Sequence, residues 1–357
     1  MPKLDSRDKI TIVVTTTEEL LLTESMSGRA VCGCSSCLVY DNLTFVDDGF
    51  KQLRLTIVRP PNISASVPVP VMLHLFAGGF MLGDRSKCPS ALAAPALAEG
   101  MAVATADYSL CNTFDQDNRQ YSLPRQLHEA KAAVRWLRAH AAEYALKTGH
   151  IGCMGFSAGG GLCSLLAQTK GLAHAEGQLG EPGAMRFSSA VLFGVSLAGW
   201  TDMLLNEDLL SNVRAHPHAQ DWCKTAIAAC AAGVSTSMRG FGAPLSTMRE
   251  ASPAGWEALA NASVLSNVRR NPAAALSPQW IATGESDDCH PWQQAAALAS
   301  ALNKRGVPDV EFQSAPRINH RPDVFGLERQ EAMLREYIGR MLAKHRHSAI
   351  PDSDSVV

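Results

Sequence analysis

Ile151-Gly152-Cys153-Met154-Gly155-Phe156-Ser157-Ala158-Gly159-Gly160-Gly161-Leu162 reads as an apolar strand that breaks at a serine and resumes as a helix. Ile151 to Met154 supply the strand, and Leu162, Leu165 and Leu166 recur with helical spacing. In the pattern G-x-S-x-G, made here by Gly155, Ser157 and Gly159, the serine sits in a strained turn with its hydroxyl exposed above a sheet. The flanking glycines keep Cβ atoms out of a turn too tight to hold them. The segment therefore predicts an α/β sheet fold and makes Ser157 a candidate nucleophile.

The surrounding chain supports that fold. Leu43 to Arg59 alternates apolar and polar residues around Asp47, Asp48 and Gly49, which predicts a hairpin ending at Pro60 and Pro61. Strands are expected over Val67–Phe76, Met101–Ala106, Ser189–Val195, Gln279–Thr283 and Val310–Phe312, with a long helix over Leu127–Leu146. Strands alternating with helices imply a mainly parallel sheet covered on both faces. Between about 197 and 271 the pattern changes: Trp200, Met203, Leu204, Trp222, Ile227, Met238 and Trp256 are strewn among small residues, as in an inserted cap.

Composition narrows the classes. The 357 residues are 46% hydrophobic and 18% charged, with a formal net charge of −2, so a sizeable core is expected and a nucleic-acid partner is not. No run of about 18 apolar residues occurs, so no spanning helix is predicted. The charged N-terminus makes a poor signal peptide, and the scattered cysteines read as buried free thiols of a cytoplasmic protein. Cys32, Cys34 and Cys37 lack a fourth ligand at a familiar spacing, so no metal is expected.

A serine hydroxyl needs a base to take its proton and a carboxylate to orient that base. Downstream of Ser157, the strand ending at Thr283 runs into Gly284-Glu285-Ser286-Asp287-Asp288, an acidic loop in which Asp287 is the first choice and Asp288 the second. Of the eleven histidines, His345 and His347 belong to the tail, and among the others His320 alone follows both that loop and a further strand, which makes it the candidate base. His290 stands three residues after Asp287, too close to occupy a separate loop facing it. Oxyanion donors are expected at the Ala158 amide and in Phe76-Ala77-Gly78-Gly79-Phe80, where Gly78 and Gly79 expose backbone amides.

With these motifs in hand, the chain resembles the α/β-hydrolase superfamily, in particular its hormone-sensitive-lipase-like and acetyl-esterase-like (BD-FAE-like) carboxylesterases, over roughly 43–342. The resemblance is carried by Phe76-Ala77-Gly78-Gly79-Phe80-Met81-Leu82-Gly83, by Asp107-Tyr108-Ser109, by Pro124 with Ala133 and Trp136, by the Gly155-Phe156-Ser157-Ala158-Gly159-Gly160 elbow, by the Gly284 to Asp287 loop and by the late His320. Phe76 and Ala77 stand where the family carries histidine and glycine, Ser109 where it carries arginine, and Arg321-Pro322 follow the histidine in place of a small residue and phenylalanine.

The resemblance implies an α/β-hydrolase domain over 43–344 with a cap insertion about 197–271, an N-terminal extension over 1–42 and a flexible tail over 345–357. It implies a serine esterase of small or medium acyl esters, with Ser157, Asp287 and His320 catalytic, Gly78, Gly79 and Ala158 as oxyanion hole, and Phe80, Phe156 and Trp200 lining the substrate site. No cofactor is implied. Partners are expected to be a small-molecule ester and a second copy of the chain. Amide, formamide or lactone hydrolysis, and ligand binding without turnover, are the other activities open to this fold.

Overall fold

The computed structural model describes residues 19–21, 23–25, 28–30, 37–60, 63–111, 123–202, 257 and 260–346. Its centre is an eight-stranded sheet: β1 (Val39–Asp47), β2 (Gln52–Val58), β3 (Val69–Leu75), β4 (Ala102–Ala106), β5 (Leu146–Phe156), β6 (Gly194–Leu197), β7 (Gln279–Gly284) and β8 (Glu311–Ala315), in the order β8-β7-β6-β5-β3-β4-β2-β1. β1 and β2 form the expected hairpin, and β2 runs antiparallel to β4. All other pairs are parallel. The hairpin turn is held by Asp47 and Asp48, whose carboxylates accept from the amides of Gly49 (3.0 Å) and Lys51 (2.7 Å).

β3 and β4 are near-continuous apolar runs because both faces of a parallel sheet are covered. The covering helices are α1 (Ser90–Ala98), α2 (Arg125–Ala139), α3 (Ala158–Gln168), α4 (Val264–Arg270), α5 (Trp292–Lys304) and α6 (Leu327–Lys344). Alternation along each strand divides the core in two. Leu73, Leu75 and Cys153 share one core with Leu127 and Val134 of α2 and Leu162 and Leu166 of α3. Met72, Val103 and Met154 share the other with Leu92 of α1 and Leu334, Tyr337 and Met341 of α6. Among the described residues no helix is long and apolar enough to cross a membrane.

Two expected boundaries shift. The helix expected over Leu127–Leu146 ends at Ala139, and the chain turns so that Leu146 opens β5. The apolar spacing persists through the turn because Tyr144 packs on Trp136 (5.6 Å) and Tyr40 (4.9 Å) at the end of the sheet. Ala145 adopts φ +47°, which a helix does not tolerate. The strand expected over Ser189–Val195 begins only at Gly194 and runs to Leu197. The buried Arg138 guanidinium takes the carbonyls of Ser188 and Ala190, which are thereby lost to a ladder.

Cys37, Cys88, Cys111, Cys153 and Cys163 are buried, as expected, whereas Cys289 departs from the expected thiols and is disulfide-bonded. Most of the stretch read as an inserted cap, with Met203, Leu204, Trp222, Ile227, Met238 and Trp256, lies outside the described residues, as do Cys32, Cys34 and the last residues of the tail.

His74 of β3 faces Thr105 of β4 in register. Both its ring nitrogens are buried without a hydrogen-bond partner, as is Thr105 Oγ1. Burial alone pulls its pKa from 6.5 down to about 3, so the native ring is neutral. The unfolded chain binds a proton near 6.5 that the folded chain refuses. The resulting stability is fully present above that pH and is lost as pH falls towards 3, by up to about 1.4 kcal/mol per pH unit. Urea unfolding of His74→Leu between pH 6 and pH 4 is expected to show a visibly shallower acid loss than the parent; an identical slope contradicts this account.

Candidate functional site

The C-terminal end of β5 delivers Ser157 into α3. Ser157 adopts φ +56°, ψ −124°, a strained conformation for a residue with a side chain. Its amide donates to Leu197 O (2.9 Å), and its carbonyl accepts from the Gly161 amide (3.0 Å). The glycines here are steric necessities. A Cβ at Gly155 would lie 2.3 Å from the backbone of Gly159, and one at Gly159 would lie 2.0 Å from Leu75 O.

Two further loops reach this serine. His320, beyond β8, brings Nε2 to 2.8 Å from Ser157 Oγ, and its Nδ1 lies 2.8 Å from Asp287 Oδ2 in the loop after β7. Because a carboxylate only accepts, Nδ1 carries a hydrogen and Nε2 is free to accept the serine proton. The Asp287 side chain is fully buried. Burial works to raise its pKa, but the hydrogen bond and charge of His320, the charge of His290 and the amide of His290 outweigh it and hold it below the usual value. Its second oxygen accepts from the amides of Cys289 and His290, both at 2.8 Å.

The two loops are tied together along their length. Ser286 N donates to Ile318 O (3.0 Å) and Glu285 N to Ala315 O (2.9 Å). Asp288, the second choice for the acid, instead accepts from Asn319 Nδ2 (3.2 Å) while its own amide donates to Asn319 Oδ1 (3.1 Å). Asp287, Cys289 and His320 also offer ligand atoms within 4.8 Å of one another. The Cys289 sulfur is committed to a disulfide and the other two groups to each other, so the trio is poorly suited to hold a metal.

After β3, the loop from Phe76 to Gly83 bends through Gly78 (φ +129°), Gly79 (φ +60°) and Phe80 (φ +61°). Gly78 O accepts from the amides of Met81 and Leu82, both at 3.0 Å. The departures noted in this loop have a physical answer. The Phe76 ring stacks on Tyr108 at 3.9 Å, and the Tyr108 hydroxyl donates to Phe76 O at 2.8 Å. Ser109 donates from Oγ (2.6 Å) and N (2.7 Å) to the buried Glu129, which also receives Arg125 Nε (2.8 Å). Ala158 opens α3, where the first amides of a helix have no partner within it.

Among the expected lining residues, the Phe156 ring lies 4.7 Å from that of His320. Phe80 is buried and packs 6.2 Å from Tyr108. Trp200 is buried with its ring against His290 at 5.3 Å. His290, set aside on sequence spacing, stands 5.0 Å from the His320 ring. Its nearness to Asp287 is what brings its amide onto that carboxylate.

Known proteins resemble this chain in sequence and in fold. Residues 55–233 match the family model described as BD-FAE. "Esterase LipI" of Mycobacterium tuberculosis (strain ATCC 25618 / H37Rv) is 28% identical over 123 residues, 34% of this chain and 36% of that protein. "Carboxylesterase NlhH" of Mycobacterium tuberculosis (strain CDC 1551 / Oshkosh) is 28% identical over 121 residues, 34% of this chain and 35% of that protein. The match thus spans about a third of the length of these curated relatives. Among solved structures, "Truncated form of carbohydrate esterase from gut microbiota" superposes with a TM-score of 0.64 at 20% identity, covering 85% of this chain and 96% of that one. Such neighbours fix the fold as that of the α/β-hydrolases.

The contact at Gly159 is directly testable. Adding one methyl in Gly159→Ala forces β3 and α3 apart, and overpacking of this kind costs about 1–3 kcal/mol. Chemical denaturation is expected to register a loss in that range, whereas Gly171→Ala, at a positive-φ turn with open space, loses less. Equal stability of Gly159→Ala and the parent overturns the steric account.

Proposed function

Since the chain belongs to the BD-FAE family, we propose that it is a serine carboxylic-ester hydrolase that turns over small or medium acyl esters through an acyl-enzyme. The observation that supports this reading is the continuous relay from Ser157 Oγ through His320 to the buried Asp287, each step 2.8 Å.

In the first half-reaction His320 Nε2 takes the Ser157 proton as Oγ bonds to the ester carbonyl carbon. The negative charge that develops on the carbonyl oxygen is stabilised by the amides of Gly78, Gly79 and Ala158, and loss of one such donor costs about two to three powers of ten in rate. The protonated His320 then gives its hydrogen to the departing alkoxide. Asp287 holds the imidazole in the tautomer that exposes Nε2 and stabilises the imidazolium. Water repeats the sequence on the acyl-enzyme and frees the acid. Phe80, Phe156 and Trp200 supply apolar walls suited to an acyl chain or alcohol of modest size.

Ser157→Ala is expected to lose turnover of 4-nitrophenyl acetate while keeping its unfolding transition, and to lose covalent labelling by a fluorophosphonate. A ligand-binding protein without turnover would leave Ser157 unlabelled in the parent as well, which separates that reading from this one. Asp287→Asn removes the acceptor that fixes the tautomer, and kcat is expected to fall roughly 10³- to 10⁴-fold. A fall under tenfold, or full activity on emulsified long-chain esters with none on short ones, contradicts the proposal.

A further inference from the structure

His290 has no part in the relay, yet it is built into the site. Its amide donates to Asp287 Oδ1 (2.8 Å). Its ring stands edge-on to that of His320 (5.0 Å, 87°) on one side and Trp200 (5.3 Å, 80°) on the other. Nδ1 lies 2.6 Å from Ala198 O. A carbonyl only accepts, so Nδ1 carries the hydrogen. Burial, helped by the neighbouring His320 and opposed by Asp287, lowers the pKa to about 4. At neutral pH the ring is therefore uncharged, and Nε2 presents a lone pair.

Among the described residues that nitrogen has no hydrogen-bond partner, and the residue is partly exposed. The ring centroids of His290 and His320 lie 5.0 Å apart, so the two rings are neighbours that one water at the mouth of the site can touch together. A water has two hydrogens to place. In deacylation only one is transferred, to His320; the other needs an acceptor, and in a half-buried crevice an unmade hydrogen bond is costly.

Building on the esterase reading, we propose that His290 Nε2 is a second acceptor for the hydrolytic water, aligning it for attack on the acyl-enzyme. The water oxygen bonds to the acyl carbon while one hydrogen passes to His320 Nε2 and the other stays on oxygen, hydrogen-bonded to His290 Nε2. Collapse of the intermediate breaks the carbon–Oγ bond and returns the His320 hydrogen to Ser157, leaving the free acid. An alcohol attacking the same acyl-enzyme has a single O–H, which His320 takes, so it has nothing to give His290. His290 thus favours water over alcohols as acyl acceptor.

The test is the partition of the acetyl-enzyme between water and added methanol, with 4-nitrophenyl acetate as donor and acetate and methyl acetate as products. In His290→Phe the methanolysis-to-hydrolysis ratio is expected to rise about tenfold, the scale of one lost hydrogen bond, and a nitrophenol burst is expected to appear as deacylation slows. His290→Gln, which retains an acceptor, is expected to recover most of the parental ratio. Fluorophosphonate labelling of Ser157 in each variant shows that the nucleophile is intact. An unchanged ratio in a variant that still labels overturns the role of His290, whereas a parent that neither labels nor turns over ester overturns the esterase reading itself.

Discussion

The left-handed backbone of Ser157, at φ +56°, is the constraint on which the rest of the site depends. A side chain in that region is strained by roughly 1–3 kcal/mol and persists only where the surroundings leave no alternative. The surroundings here are backbone packed against backbone. Gly155 lies under Gly159, Gly159 against the carbonyls of Leu75 and Phe76, Gly160 against Leu197 and Gly199, and Gly161 against Trp200. No side chain could supply contacts that close, which is why the run from 159 to 161 is glycine throughout. The ends of β3, β5 and β6 therefore meet the start of α3 at one place, and the serine hydroxyl is the group left outside.

Among the described residues around that point, Asp287 is paired with His320 and Asp288 with Asn319. Asp287 is buried, which by itself disfavours its ionised form, yet two backbone amides and the His320 ring keep it ionised. His290, pressed into the same neighbourhood, answers burial in the opposite way and stays neutral. A second cation beside His320 would compete for the one carboxylate. The pairing of Asp288 with Asn319 serves geometry instead, locking the acid loop to the loop that carries His320.

What was legible in the sequence was what local spacing encodes. The elbow is a contiguous pattern, and the acid loop and His320 follow strands whose apolar character is plain, so chain order alone pointed to Asp287 and His320. What was not legible depends on contacts between distant segments. The end of α2 at Ala139 follows from Tyr144 seeking Trp136 and Tyr40. The late start of β6 follows from Arg138 claiming carbonyls it cannot be seen to approach in one dimension. The support of the 76–83 loop comes from Tyr108, a residue with nothing in its local pattern to connect it to Phe76. Sequence spacing speaks to a base on an opposing loop and is silent about His290, a neighbour whose amide shares the same carboxylate.

The seat of Gly159 on the Leu75 and Phe76 carbonyls has a mechanical side. The first turn of α3 rests directly on the strand end from which the Gly78–Gly79 bend departs, with no compressible side chain in the seam. Ser157 and the Gly78–Gly79 bend are consequently built on one shared seam of backbone, so a change that shifts either one is felt by the other.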